Sequence, residues 1–162
     1  MKRLLYVALP LLLLVLLGCE KKEVSPEVAW CGTSMPQVVG CGTLPLKGTW
    51  RLNAYQKLNE GTLLSDPDPK GRGVVLTFTE EGKTVRFEGH TVANTVSGGY
   101  LKGDSCRLAQ GTFGGTKVGE PTEFSSRAWV ATNGAEAYGR STDNLYIYYN
   151  GKSEVMIFDK KD

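Results

Sequence analysis

"LYIYYNGKSEVMIF", Leu145 to Phe158, consists of two apolar runs split by Asn-Gly. Side chains alternate along a strand, so Leu145, Ile147 and Tyr149 share one face while Tyr146 and Tyr148 share the other. Asn150 and Gly151 tolerate the positive φ that a two-residue type I′ turn demands, and such a turn twists with its strands. The stretch therefore predicts a β-hairpin with one face turned to a core.

Working outward, the same signals recur. Val74 to Thr79 is apolar and β-branched, Glu80-Glu81-Gly82 reads as a turn, and Thr84 to Glu88 alternates again, giving a second hairpin. Lys47 to Tyr55 places Trp50, Leu52 and Ala54 at alternate positions, the pattern of a half-buried strand. "CRLAQGTFGGT", Cys106 to Thr116, is a further strand ending in glycines. "NEGTLLSDPDPKGRG", Asn59 to Gly73, is too rich in Pro, Gly and Asp to be regular. A single helix is expected after Gly119-Glu120-Pro121, with Glu120 and Glu123 at its positive end, Phe124, Ala128 and Ala131 on one stripe, and Asn133-Gly134 as its stop. Phe124 and Trp129 read as packing residues. The fold class is mainly β (α+β): a curved antiparallel sheet or small barrel with one helix near the C-terminal third, filled by Trp50, Phe78, Phe87 and Tyr100.

The other end of the 162-residue chain has different chemistry. Lys2 and Arg3 precede an apolar run from Leu4 to Leu17, too short to span a bilayer, and residues 1–18 read as an export signal. Its ending, Leu16-Leu17-Gly18-Cys19, resembles the bacterial lipobox. In that family the cysteine takes a diacylglycerol and becomes the acylated amino terminus. Cys19 is therefore the expected lipid attachment site, the membrane the expected first partner, and palmitate-type acylation the expected modification. Glu20, not Asp, follows the cysteine, which favours the outer membrane, facing periplasm or cell surface.

Residues 19–44 read as a lipid-anchored linker and 45–162 as one folded domain. Lys2 and Arg3 leave with the signal, so 19 Lys+Arg become 17, against 17 Asp+Glu. A near-neutral chain without a basic patch is not expected to bind nucleic acid. Export makes disulfides the natural use of its thiols. The short span between Cys31 and Cys41 favours a bridge between those two, with Cys106 as a small buried residue in a strand; a bridge from one of them to Cys106 is the alternative. Nine intervening residues with no nearby His are poor zinc spacing, so no metal is expected.

"FEGHTVANTVSGGY", Phe87 to Tyr100, holds the only histidine. Catalysis by His90 would need a nucleophile or an acid held by a third group. Ser97, Ser125 and Ser126 sit in no Gly-x-Ser-x-Gly elbow. The segment reads as a structural corner built on Gly89, Asn94, Gly98 and Tyr100, with no catalytic residues and no cofactor. Asparagine suits a bend because its side chain bonds nearby backbone.

In order and spacing, "LKGTWRL" at Leu46, "VVLTF" at Val74, Gly89…Asn94…Gly98-Gly99-Tyr100, Gly115-Thr116-Lys117, the helix near Pro121 and the final hairpin resemble the META domain. This is a family of small exported bacterial proteins that includes heat-inducible lipoproteins. The resemblance spans nearly all of residues 46–158. It implies a non-enzymatic envelope protein with a role in stress tolerance or envelope maintenance. Many members carry a cysteine just before the asparagine, where this chain has Ala93, so nothing built on that cysteine exists here. The alternative is an envelope binding module, either a lipocalin-type carrier of a small apolar ligand or a lipoprotein inhibitor of a cell-wall enzyme.

Overall fold

The computed structural model describes residues 44–161. The described residues belong to one compact unit, Ser34–Asp162. Nine strands are present among them: β1 (Gly48–Lys57), β2 (Leu63–Ser65), β3 (Val75–Glu81), β4 (Thr84–His90), β5 (Thr95–Lys102), β6 (Leu108–Gly115), β7 (Ala135–Arg140), β8 (Asn144–Tyr149) and β9 (Glu154–Lys160). The helix α1 (Glu123–Asn133) connects β6 to β7.

All strand pairs are antiparallel, in the order β6-β5-β4-β3-β1-β9-β8-β7, with β2 on β1 off this path. Two meanders, β3 to β6 and β7 to β9, thus flank β1. The sheet curls until its edges meet at one bridge, Arg107 with Ala137. The result is a nearly closed barrel whose seam runs between β6 and β7. Close approach of neighbouring atoms explains two of its glycines. A Cβ on Gly89 would lie 2.0 Å from the Val75 carbonyl oxygen, and one on Gly98 would lie 2.6 Å from the Phe87 ring.

The interior is packed with the barrel's own side chains. Trp50, Leu52, Leu76, Phe78, Val85, Phe87, Tyr100, Leu145, Ile147, Met156 and Phe158 are all buried in one cluster. Leu145, Ile147 and Tyr149 join that cluster, while Tyr146 and Tyr148 belong to a second, on the opposite face of the hairpin with Val155 and Ile157. The alternation in the final hairpin is as its sequence predicts.

Four local expectations need correction. In β1 the register shifts between Leu52 and Ala54, so Tyr55, not Ala54, continues the inward face after Trp50 and Leu52. An extra residue in a strand reverses the facing of all that follow, and periodicity cannot see it. The final turn is longer than two residues. Asn150, Gly151 and Lys152 all have positive φ (53°, 65° and 62°), and the closing bond runs from the Ser153 N–H to the Asn150 carbonyl at 3.2 Å. Side chains favour the longer loop: Asn150 Nδ2 donates to Glu154 Oε1 (2.9 Å), and Glu136 accepts from the Gly151 N–H (2.8 Å). The segment from Asn59 to Gly73 contains β2, a three-residue strand paired with Ala54 to Gln56. Cys106, expected in a strand, ends a tight turn over Asp104–Cys106, with a left-handed φ of 64°.

The helix matches its sequence signals, with the boundary at Thr122. The Thr122 hydroxyl accepts from the Ser125 N–H at 3.1 Å, satisfying a donor that the first turn leaves open. Phe124, Ala128 and Ala131 are buried in the core. Two tyrosines hold the helix to the barrel: Tyr55 donates to the Phe124 carbonyl (3.0 Å) and Tyr100 to that of Thr132 (2.6 Å).

Candidate functional site

The bend between β4 and β5 holds two of the buried polar residues, Thr91 and Asn94. Asn94 is 2% exposed. Its Nδ2 donates to the Val118 carbonyl (3.0 Å) and to Glu120, and its Oδ1 accepts from the Val118 N–H (2.7 Å) and the Thr116 hydroxyl (3.3 Å). One carboxamide therefore pairs with both polar groups of Val118, as a neighbouring peptide unit would. Buried Thr91 completes the knot: its hydroxyl donates to Glu120 and accepts from the Asn94 N–H (3.0 Å). Glu120 also accepts from the Ala93 N–H at 3.2 Å. Burial raises the Glu120 pKa, but hydrogen bonds from Thr91, Asn94, Ser125 and the Ala93 amide outweigh it and hold the carboxyl below its ordinary value.

The other residues of the predicted corner are dispersed along two strands. Gly89 and Gly98 admit close packing on β4 and β5, as described above, and Tyr100 stacks on Phe87 with centroids 5.1 Å apart. His90 is half-buried at the end of β4, and its Nδ1 lies 3.1 Å from the Thr91 carbonyl. No nucleophile is hydrogen-bonded to it among the described residues.

Cys19, Cys31 and Cys41 lie outside the described residues. Cys106 is disulfide-bonded, which corrects the expectation of a free, buried thiol. It is half-buried against the core. Its turn directly precedes Arg107, whose backbone bridges to Ala137.

Two clefts mark the outer surface. One, of about 920 Å³, lies on the outer face of β3 to β6, where Thr77, Thr79, Arg86, Glu88, Ser97 and Leu101 surround backbone left bare at Gly99 and Gly111. The other, of about 620 Å³, lies between α1 and the β8–β9 turn. There Arg127 Nη2 pairs with Glu123 (3.2 Å), its Nη1 with Glu154 (3.6 Å), and the guanidinium lies 5.5 Å from the Tyr55 ring centre. A hydrogen bond from Tyr149 (2.8 Å) is the main reason that the Glu154 carboxyl lies below its ordinary range. The first cleft presents Arg86 and Glu88, and the second the ion pairs of Arg127. No group of three His, Cys, Asp or Glu side chains that could hold a metal occurs among the described residues.

Two arginines escaped the sequence reading. Arg51 gathers the loop after β2, donating to Asp66 (2.8 Å) and to the carbonyls of Asp68 (2.9 Å), Gly71 (2.8 Å) and Arg72 (3.2 Å). Arg140 is buried, lies 4.2 Å over the Trp50 ring and donates to the carbonyls of Pro45 (3.2 Å), Ser141 and Thr142 (2.9 Å). Burial pulls the Arg140 pKa down, with Asp143 opposing. Neither carries a local motif, because every partner beyond the adjacent turn is distant in sequence. Glu120 was legible only as a charge near the helix start.

No family model and no curated protein matches the chain. Among solved structures, the barrel is similar to the NMR structure of a protein from Burkholderia xenovorans. The TM-score is 0.55 at 22% identity, over 71% of this chain and 82% of that one. A crystal structure of a DUF4847 family protein from Bacteroides vulgatus aligns with a TM-score of 0.49 at 20% identity, over 72% of this chain and 95% of the other. At such identity the first likeness concerns the fold alone.

Proposed function

We propose that this chain is a lipid-anchored envelope protein, held by acylated Cys19, whose META-like barrel acts without catalysis in stress tolerance or envelope maintenance. The observation that carries this reading is how the candidate site residues are used. Asn94, Thr91 and Glu120 bond to one another and to backbone, and the His90 ring lies within hydrogen-bond distance of the neighbouring carbonyl. A second reading, a module that docks on an envelope enzyme, draws support from the cleft around Arg86 and Glu88 on the outer face of β3 to β6. The carrier version of that module is less favoured, because Trp50, Phe78, Phe87 and Tyr100 occupy the space an apolar ligand would need.

Metabolic labelling with a clickable fatty acid tests the anchor: label is expected on the natural chain and absent from Cys19→Ser. Equal label on both rules out acylation at Cys19. The two roles separate through Arg86→Ser and Glu88→Ser. Under the first reading, cells carrying either survive heat as the natural strain does while the protein's melt is unchanged. Lost survival with an unchanged melt would favour the docking module.

A further inference from the structure

Asn-Gly occurs twice in the chain, at Asn133-Gly134 and at Asn150-Gly151. Such a step is open to internal attack, because glycine puts no Cβ beside the amide nitrogen that must reach the preceding side chain. In both places that nitrogen is engaged. At the end of α1 the Gly134 N–H donates to the Val130 carbonyl at 2.9 Å, as helix geometry provides. Asn150 and Gly151 are exposed at the tip of the final hairpin, and nothing lies within 4 Å of where a Gly151 Cβ would be. Here the Gly151 N–H donates to a carboxylate instead, Glu136 on β7, at 2.8 Å. The Asn150 carboxamide is held as well, with Nδ2 donating to Glu154 Oε1 at 2.9 Å. The other oxygen of Glu154 accepts from the Tyr149 hydroxyl (2.8 Å) and faces Arg127 (3.6 Å). The Asn150 carbonyl accepts from the Ser153 N–H (3.2 Å) and hydroxyl (2.6 Å).

We propose that Asn150 is a deamidation site and that Glu136 and Glu154 hold it in check. In the reaction the Gly151 nitrogen loses its proton to hydroxide and attacks Asn150 Cγ. The new C–N bond closes a five-membered succinimide, the bond from Cγ to Nδ2 breaks, and Nδ2 takes a proton from water and leaves as ammonia. Water then opens the ring at either carbonyl, giving aspartate or isoaspartate. The contacts of the turn oppose the first step. The nitrogen cannot attack until its N–H leaves Glu136, and a hydrogen bond to an ionised acceptor is roughly twice as strong as a neutral one. The negative carboxylate beside it also disfavours a deprotonated nitrogen. Cγ cannot swing onto that nitrogen until Nδ2 leaves Glu154, which Tyr149 and Arg127 hold from the other side. Conversion replaces a donor by a third carboxylate next to Glu136 and Glu154, so the turn that lines the cleft beside α1 loses its own ties.

Trypsin releases Asn133 in residues 128–140 and Asn150 in residues 141–152, so mass and fragmentation read amide-to-acid conversion at each separately. The purified full chain is incubated near neutral pH, both folded and in urea. The folded natural chain should convert Asn150 at least about tenfold more slowly than the chain in urea, the rate equivalent of one charge-assisted hydrogen bond. Glu136→Ala, checked to be folded by its melt, should lose most of that protection at Asn150 while Asn133 keeps its own. Glu154→Ala should act in the same direction. Glu136→Gln still offers an oxygen to the Gly151 N–H and should stay close to the natural chain. Equal conversion of Asn150 in the folded chain and in urea would overturn the proposal. A folded Glu136→Ala chain that converts no faster than the natural one would do the same, as would a Glu136→Gln chain that converts as fast as Glu136→Ala.

Discussion

Asn94 and His90 lie four residues apart and are held very differently. The Asn94 carboxamide satisfies both polar groups of Val118, so replacing it with leucine strands buried donors and acceptors. Asn94→Leu should cost about 2–3 kcal/mol. His90→Ala removes one contact with an adjacent carbonyl and should cost less than about 0.5 kcal/mol. Urea midpoints of the two purified variants check the order. Glu120 adds a pH dependence. Its carboxyl titrates below the ordinary 4.5 in the folded chain, so its contribution is present above the unfolded value and is lost as pH falls through the folded one. The stability difference between the natural chain and Glu120→Gln should be constant from pH 7 to about 5 and should shrink below about 4.5. A difference that grows on acidification would contradict the direction assigned to Glu120.

At the scale of the element, single interactions set boundaries. Thr122 caps α1 by accepting the Ser125 N–H. Thr122→Ala should lower stability by about 1 kcal/mol, measured by thermal melting, with aspartate at the same position restoring most of it. Arg51 organises the loop after β2, and lysine cannot reproduce a fork aimed at three carbonyls and a carboxylate. Arg51→Lys should leave the barrel folded while exposing residues 66–73 to limited proteolysis several-fold faster. The elements readable from sequence were those whose cause is local: the alternation of Leu145 to Tyr149, the hairpin at Gly82, and the helix between Thr122 and Gly134. What escaped depends on distant partners. The bulge after Leu52 answers to the register of β9, and β2 exists because β1 offers it an edge. Glu120 finds Asn94 and Thr91 across 26 and 29 residues of chain. Asparagine in the bend could be anticipated, but its match to Val118 could not.

Across the whole molecule, barrel and helix are joined by phenols. Burial raises the pKa of Tyr55 and Tyr100 far above the ordinary 10.0, with Tyr149 adding to the effect at Tyr55. A raised folded pKa favours the native state below the unfolded value, and the advantage falls as pH climbs beyond it. Stability should therefore decline above about pH 10. Ultraviolet titration should show these two phenols ionising together with the loss of near-ultraviolet circular dichroism, and Tyr100→Phe should weaken the pH dependence. Ionisation of both in an intact barrel would overturn the burial argument. The pairing of β1 with β9 sets Trp50 opposite Lys160, which brings the start of the barrel beside its end. A strand order that returns to its origin has no privileged first residue. The gene could be rewritten with a short peptide joining Lys161 to Leu44 and new ends opened between Gly82 and Lys83, and the rearranged chain should retrace the same barrel.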